Sequence, residues 1–147
     1  MVRNTALRDH PRKRVKAADR MPENAFVIVI EDDPNVLIGL RMLLEASNCD
    51  VIAASSAEKA AAALTECGKH PGAVIADYRL GEGKLGTDAI RLIQQVAGEP
   101  IPGIVLTGDT SPDRIRETRA SGFLLMHKPV QAAKLIAVLA EVLNPAT

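Results

Sequence analysis

The sequence predicts an α/β doubly wound domain built on a five-stranded parallel sheet. Three observations carry this. Apolar runs of four or five residues alternate with segments of helical periodicity along the chain. The runs are continuous rather than alternating, as strands covered on both faces should be. Their carboxyl ends are marked by polar residues that do not belong in a core: Glu31-Asp32-Asp33, Asp77, Thr107 and Lys128-Pro129.

The elements follow in order. Phe26–Ile30 is the first strand. Asp33 caps the next helix, with Pro34 at its first position. Val36, Leu37, Leu40, Leu43 and Leu44 form that helix's apolar stripe. Val51–Ala54 is the second strand. Ser55 and Glu58 make a capping-box pattern before an Ala-rich helix that ends near Cys67-Gly68. Ala73–Ala76 is the third strand. Residues 79–86 read as a polar, Gly-rich loop. Thr87–Ala97 is a helix with Ile90, Ile93 and Val96 facing inward. Gly103–Leu106 is the fourth strand. Ser111-Pro112 opens a helix that ends at Ser121-Gly122. Phe123–Met126 is the fifth strand, and residues 131–143 form the last helix, with Leu135, Val138, Leu139 and Val142 inward. No internal repeat is visible.

Composition bounds the function. The 147 residues suffice for one domain with a sizeable core. With two Phe, one Tyr and no Trp, that core must be aliphatic, and the stacking platforms of a single-stranded nucleic-acid binder are missing. The net charge is zero, yet residues 1–20 hold seven Lys/Arg against two Asp/Glu. The rest of the chain is therefore acidic and poorly suited to duplex DNA. Residues 1–24 read as a flexible basic tail, 25–143 as the folded domain and 144–147 as a C-terminal tail. No apolar stretch is long enough to span a membrane, and no apolar segment follows the basic N-terminus as a secretory signal requires. Cys49 and Cys67 match neither a disulfide framework nor a zinc site. A cytoplasmic protein is expected.

In a parallel sheet the carboxyl ends of the strands lie along one edge, so the polar strand ends gather in one crevice. Glu31 and Asp32 offer oxygen ligands to a hard divalent cation, while Asp33 is accounted for as a helix cap. Asp77, abutting a buried strand, is a candidate nucleophile, since carboxylates form aspartyl-phosphates. The Thr107 hydroxyl can donate to a phosphoryl oxygen, and Gly108 lets the backbone come close. Lys128 can stand as a point charge over the same group, and Pro129 admits a cis bond.

At this point the chain resembles the response-regulator receiver domain of two-component signalling. The segments Val27-Ile28-Val29-Ile30-Glu31-Asp32-Asp33-Pro34, Val74-Ile75-Ala76-Asp77, Val105-Leu106-Thr107-Gly108 and His127-Lys128-Pro129 carry the resemblance, which spans roughly residues 25–143. It implies the flavodoxin-like (βα)5 fold. It implies Asp77 as phosphoacceptor, receiving a phosphoryl group from a sensor histidine kinase or phosphotransfer protein. Mg2+ would be held by Glu31, Asp32, Asp77 and the Arg79 carbonyl, with Asp32 the more direct of the acidic pair. Thr107 and Lys128 would contact the phosphoryl group. A downstream protein, and a second copy of the chain, are the further partners the family suggests; DNA and membrane are not expected to be bound directly. Ala76-Asp77-Tyr78-Arg79-Leu80 and Leu125-Met126-His127-Lys128-Pro129-Val130 look most like receivers attached to hybrid sensor kinases. No output domain is recognisable after residue 143, so the expected unit is a receiver, free-standing or part of a hybrid kinase.

One departure stands out. Many members of that family carry Tyr or Phe three residues before the Lys, where this chain has Leu125. A switch that draws a ring inward is not available in that form. Two other readings compete. A Mg2+-dependent phosphohydrolase of haloacid-dehalogenase type would place a second Asp two residues after the nucleophile, where Arg79 stands. A nucleotide- or flavin-binding domain would need a Gly-rich first turn, where Glu31-Asp32-Asp33-Pro34 stands. The expected protein is therefore a signalling module and not an enzyme, beyond slow self-phosphorylation and self-dephosphorylation.

Overall fold

The computed structural model describes residues 21–109 and 111–144, so most of the expected basic tail lies outside the described residues. Five parallel strands form one sheet in the order β2-β1-β3-β6-β7. These are β1 (Phe26–Ile30), β2 (Asp50–Ala54), β3 (Ala73–Asp77), β6 (Gly103–Thr107) and β7 (Leu124–His127). Two short strands, β4 (Arg79–Leu80) and β5 (Lys84–Leu85), pair antiparallel beside it. The helices are α1 (Pro34–Ala46), α2 (Ala57–Cys67), α3 (Gly86–Ala97), α4 (Pro112–Ala120) and α5 (Ala132–Leu143).

The continuous apolar runs are explained by burial on both faces. All five residues of β1 are buried. Side chains alternate across the pleat. Phe26, Ile28 and Ile30 therefore join one core layer with α2 and α3, while Val27 and Val29 join the other with α1 and α5. Both layers are almost wholly aliphatic. α4 supplies no residue to either layer. Among the described residues, no helix is long and apolar enough to cross a membrane.

The caps show why the helices start where they do. Asp33 Oδ1 accepts from the backbone N–H groups of Asn35 and Val36, satisfying donors at the open end of α1. Ser111 does the same for α4 through the Arg114 N–H. Gly68 and Gly98 close α2 and α3 in the left-handed conformation, where a Cβ would be strained.

Several expectations are corrected. The α2 cap is Ser56, not Ser55: Ser56 Oγ accepts from Lys59 N, and Ser55 Oγ instead accepts from the Lys59 ammonium. The segment 79–86 is not a plain loop but the β4–β5 hairpin, with Glu82 and Gly83 at positive φ in its turn. Val96 is 41 % exposed. The buried stripe of α3 runs through Ile90, Ile93 and Ala97, three and seven residues apart, so Val96 falls off it. The last strand starts at Leu124 rather than Phe123 and reaches His127, where Thr107 is its register partner.

Candidate functional site

β1 and β3 are adjacent in the sheet, and so are β3 and β6, so β3 sits at its centre. The chain extends the sheet in one direction from β1 and in the other from β3, which opens a crevice between their carboxyl ends. Asp77 ends β3 in register with Leu106, and Ile30 of β1 lies opposite Ala76. The acidic pair after β1 and the Asp77 carboxylate are therefore forced together. One carboxylate oxygen each of Glu31, Asp32 and Asp77 lies within 4.8 Å of the others.

The three acids differ in environment. Glu31 is 3 % exposed, and its Oε2 has no hydrogen-bond partner. Burial first, and then the Asp77 charge, raise its pKa to about 7. Asp32 is exposed, and its Oδ2 accepts from the Gly81 N–H at 3.1 Å, fixing the hairpin to the site. Asp77 Oδ1 meets Lys128 Nζ at 2.7 Å. Burial alone would lower the Lys128 pKa. The hydrogen bond and charge of Asp77, reinforced by Glu31 and Asp32, outweigh it and hold the ammonium above its ordinary value.

A cluster of three carboxylates with one buried, unpartnered oxygen suits a hard, oxygen-seeking divalent cation such as Mg2+. Without one, the repulsion is relieved only in part, by Lys128 and by the Glu31 proton. The donor set therefore fits the expected metal.

Beside Asp77, a shallow crevice of about 370 Å³ is lined by Asp77, Tyr78, Arg79, Thr107, Gly108, Asp109 and Lys128. Thr107 is buried, and its Oγ1 accepts from the Asp109 N–H at 3.0 Å. Lys128 is carried there by β7 pairing with β6, and its N–H donates to the Thr107 carbonyl at 2.8 Å. The Lys128–Pro129 bond is cis. Glu31, Asp32, Thr107 and Lys128 thus lie around the Asp77 carboxylate, while Asp33 is occupied in capping α1. Arg79 is the first residue of β4, and its guanidinium pairs with Asp109 at 3.5 Å. His127 is exposed and Leu125 half-buried against the first core layer.

Sequence reading missed a second polar group beside the site. The Tyr78 hydroxyl donates to Glu117 Oε1 of α4 at 2.5 Å, and the ring is nearly inaccessible. Burial and the Glu117 carboxylate raise the phenol's pKa. Asp109 is held below the ordinary carboxylate value by the N–H and then the hydroxyl of Ser111, with help from Arg114 and Arg79. Nothing in residue spacing announces this group; its one signal was a lone tyrosine directly after Asp77.

Comparisons with known proteins agree with the geometry. A profile for the response regulator receiver domain matches residues 27–140. The phyllosphere-induced regulator PhyR of Methylorubrum extorquens is 30% identical over 131 residues, which cover 88% of this chain and 46% of that protein. The chain thus spans about half the length of the curated relative it matches. A receiver domain protein from Clostridium thermocellum superposes with a TM-score of 0.70 at 28% identity, over 82% of this chain and 94% of the other. The chemotaxis protein CheY4 of Vibrio cholerae gives 0.70 at 20% identity, over 81% and 98%, a likeness of fold. Profile, relative and neighbours converge with the five-stranded sheet and its acidic crevice: the chain belongs to the response regulator receiver domain family, a signalling family of two-component systems.

Proposed function

We propose that the domain accepts a phosphoryl group on Asp77, with Mg2+ bound by Glu31, Asp32, Asp77 and the Arg79 carbonyl, from a histidine kinase or phosphotransfer protein. The observation that carries this is the Asp77 carboxylate, clustered with two further carboxylates and met by Lys128 at 2.7 Å. That arrangement supports a reading in which carboxylates for a cation and one ammonium gather around a single nucleophile.

The chemistry asks mainly for positioning and charge neutralisation. An Asp77 oxygen forms the new O–P bond while the P–N bond of a phosphohistidine breaks, its electron pair leaving with the imidazole nitrogen. Lys128 stands against the charge that accumulates on the phosphoryl oxygens, and Thr107 presents a hydroxyl to one of them. Mg2+, when bound, supplies further positive charge to those oxygens. The phosphohydrolase reading is weaker because Arg79, a cation already paired with Asp109, stands where a general base is needed. By analogy with its family, the module passes the signal to a downstream protein in the cytoplasm.

Intact mass measured with acetyl phosphate and Mg2+ tests the assignment. A single phosphoryl adduct is expected, abolished by chelation of the metal and by Asp77→Asn. An adduct persisting on Asp77→Asn would overturn it, and rapid multiple turnover of acetyl phosphate would favour the phosphohydrolase.

A further inference from the structure

Between β3 and α3 the chain reverses through Gly81-Glu82-Gly83-Lys84. The Lys84 N–H donates to the Gly81 carbonyl at 3.4 Å, and both central residues stand at positive φ, Glu82 at 64° and Gly83 at 75°. Such a turn favours Gly, Asn or Asp. Glu82 therefore holds its place against a local preference, and the surroundings must fix it there.

The base of the hairpin is well held. Leu80 is buried in the core layer of α2 and α3, Leu85 packs against that layer, and the Gly86 N–H donates to the Tyr78 carbonyl at 2.7 Å. The Lys84 ammonium lies 3.6 Å from Glu58 at the start of α2, an exposed pair that adds little. The tip is different. Among the described residues it makes one hydrogen bond to the rest of the domain, from the Gly81 N–H to Asp32 Oδ2 at 3.1 Å. The approach is close: a Cβ on Gly81 would lie 3.2 Å from the same oxygen. Among the described residues no ion pair holds Asp32, so this N–H is what orients an otherwise exposed carboxylate. The same hairpin carries Arg79, paired in register with Leu85, whose carbonyl is a proposed metal ligand.

We propose that the β4–β5 hairpin sets both the affinity and the choice of cation at the acidic crevice, with Gly81 a positioning residue that acts through Asp32; this rests on the reading of Glu31, Asp32 and Asp77 as a metal site. A ligating carboxylate that also accepts a hydrogen bond is oriented in advance, and losing such a partner costs about 10–100-fold in metal affinity. With Oδ2 engaged, Asp32 offers a cation chiefly its other oxygen. Mg2+ demands near-ideal octahedral geometry and suits a carboxylate that gives one oxygen. Ca2+ accepts looser, more variable sets, bidentate carboxylates among them. The Gly81 N–H thus favours Mg2+ over Ca2+. The coupling is reciprocal: a hairpin that raises metal affinity is itself stabilised by the metal, by the same factor. A turn strained at Glu82 opens at its tip while Leu80 and Leu85 stay buried, so the tip is the part that answers to the metal.

The test uses the full chain stripped of metal, with Mg2+ and Ca2+ each titrated alone by calorimetry. Gly81→Pro deletes the donor. It should weaken Mg2+ binding by about tenfold or more, and Ca2+ binding by less, so that the preference for Mg2+ narrows. Gly83→Ala keeps the donor and strains the turn, since its Cβ meets nothing within 4 Å but its φ disfavours a side chain. It should weaken Mg2+ binding as well and speed exchange of the Gly81 and Lys84 amides. In the unsubstituted chain, Mg2+ should slow exchange of those two amides. Melts of the metal-free variants separate this from a fold defect, which lowers the melting temperature but leaves the cation preference alone. Variants that keep the wild-type Mg2+ affinity, or that melt lower yet keep the wild-type preference for Mg2+ over Ca2+, would overturn the hairpin's role alone. No Mg2+ binding to the unsubstituted chain would overturn the metal reading, and the hairpin's role with it.

Discussion

Replacing Gly86 by alanine should strike both the fold and the candidate site, because α3 begins in contact with the end of β3. The Gly86 N–H donates to the Tyr78 carbonyl at 2.7 Å. A Cβ on Gly86 would lie 2.2 Å from the Asp77 carbonyl oxygen and 2.9 Å from its carbon, where real Cβ contacts do not fall under 3.0 Å. The obstacle is backbone on both sides, so no side chain can turn away. Either β3 or the first turn of α3 must yield by roughly 0.8 Å, the difference between 3.0 and 2.2 Å. Overpacking of this kind costs about 1–3 kcal/mol. At about 2–4 °C per kcal/mol for a domain of this size, the melting temperature should fall by about 2–12 °C. The displaced group carries the proposed nucleophile, and a misplacement of about 1 Å costs up to about a hundredfold in rate. The assays are a thermal melt and the rate of adduct formation with acetyl phosphate followed by intact mass. A Gly86→Ala protein that melts within a degree of wild type and is phosphorylated at the wild-type rate would refute the packing argument.

Two further outcomes are expected. Gly39, in the interior of α1, has nothing within 4 Å of its would-be Cβ, so Gly39→Ala should raise stability by about 0.5–1 kcal/mol in a urea melt, the reverse of Gly86→Ala. The Glu31 carboxyl titrates near 7 in the metal-free fold against an ordinary 4.5. Because its folded pKa is raised, its favourable contribution is fully present below pH 4.5 and is lost as the pH rises through 7. The loss amounts to roughly 3 kcal/mol at 1.36 kcal/mol per pKa unit. Metal-free stability should therefore fall over that range, stabilisation by Mg2+ should grow over it, and Glu31→Gln should flatten both curves in melts taken from pH 5 to 8.

Asp77, Thr107 and Lys128 were legible in the sequence because each breaks an apolar run, and a parallel sheet leaves one edge for all such breaks. The β1 boundaries and the α1 and α4 caps were legible for a similar reason: Asp33-Pro34 and Ser111-Pro112 each pair a side-chain acceptor with a residue that needs none. Where two neighbours could do the same work, the sequence was silent. Ser55 and Ser56 are both competent caps, and only the turn of the chain after β2 selects Ser56. The β4–β5 hairpin escaped because strands of two residues carry no periodicity, and its turn places Glu82, not a glycine, at positive φ ahead of Gly83. Tyr78 and Glu117 are 39 positions apart and meet only through the packing of α4 beside β7. No local pattern encodes such a pair.

That α4 supplies no residue to either core layer bears on how this domain can diverge. Asp113, Arg116, Arg119 and Ala120 are exposed. Substitutions at exposed positions remote from caps and buried networks usually shift stability by no more than about 0.5 kcal/mol. A descendant could therefore rewrite much of this helix's outer surface, charge by charge, while the aliphatic sheet beneath it kept folding as before. Recognition could drift there at little thermodynamic risk, provided that Tyr78, Ser111, Arg114 and Glu117 stayed in place.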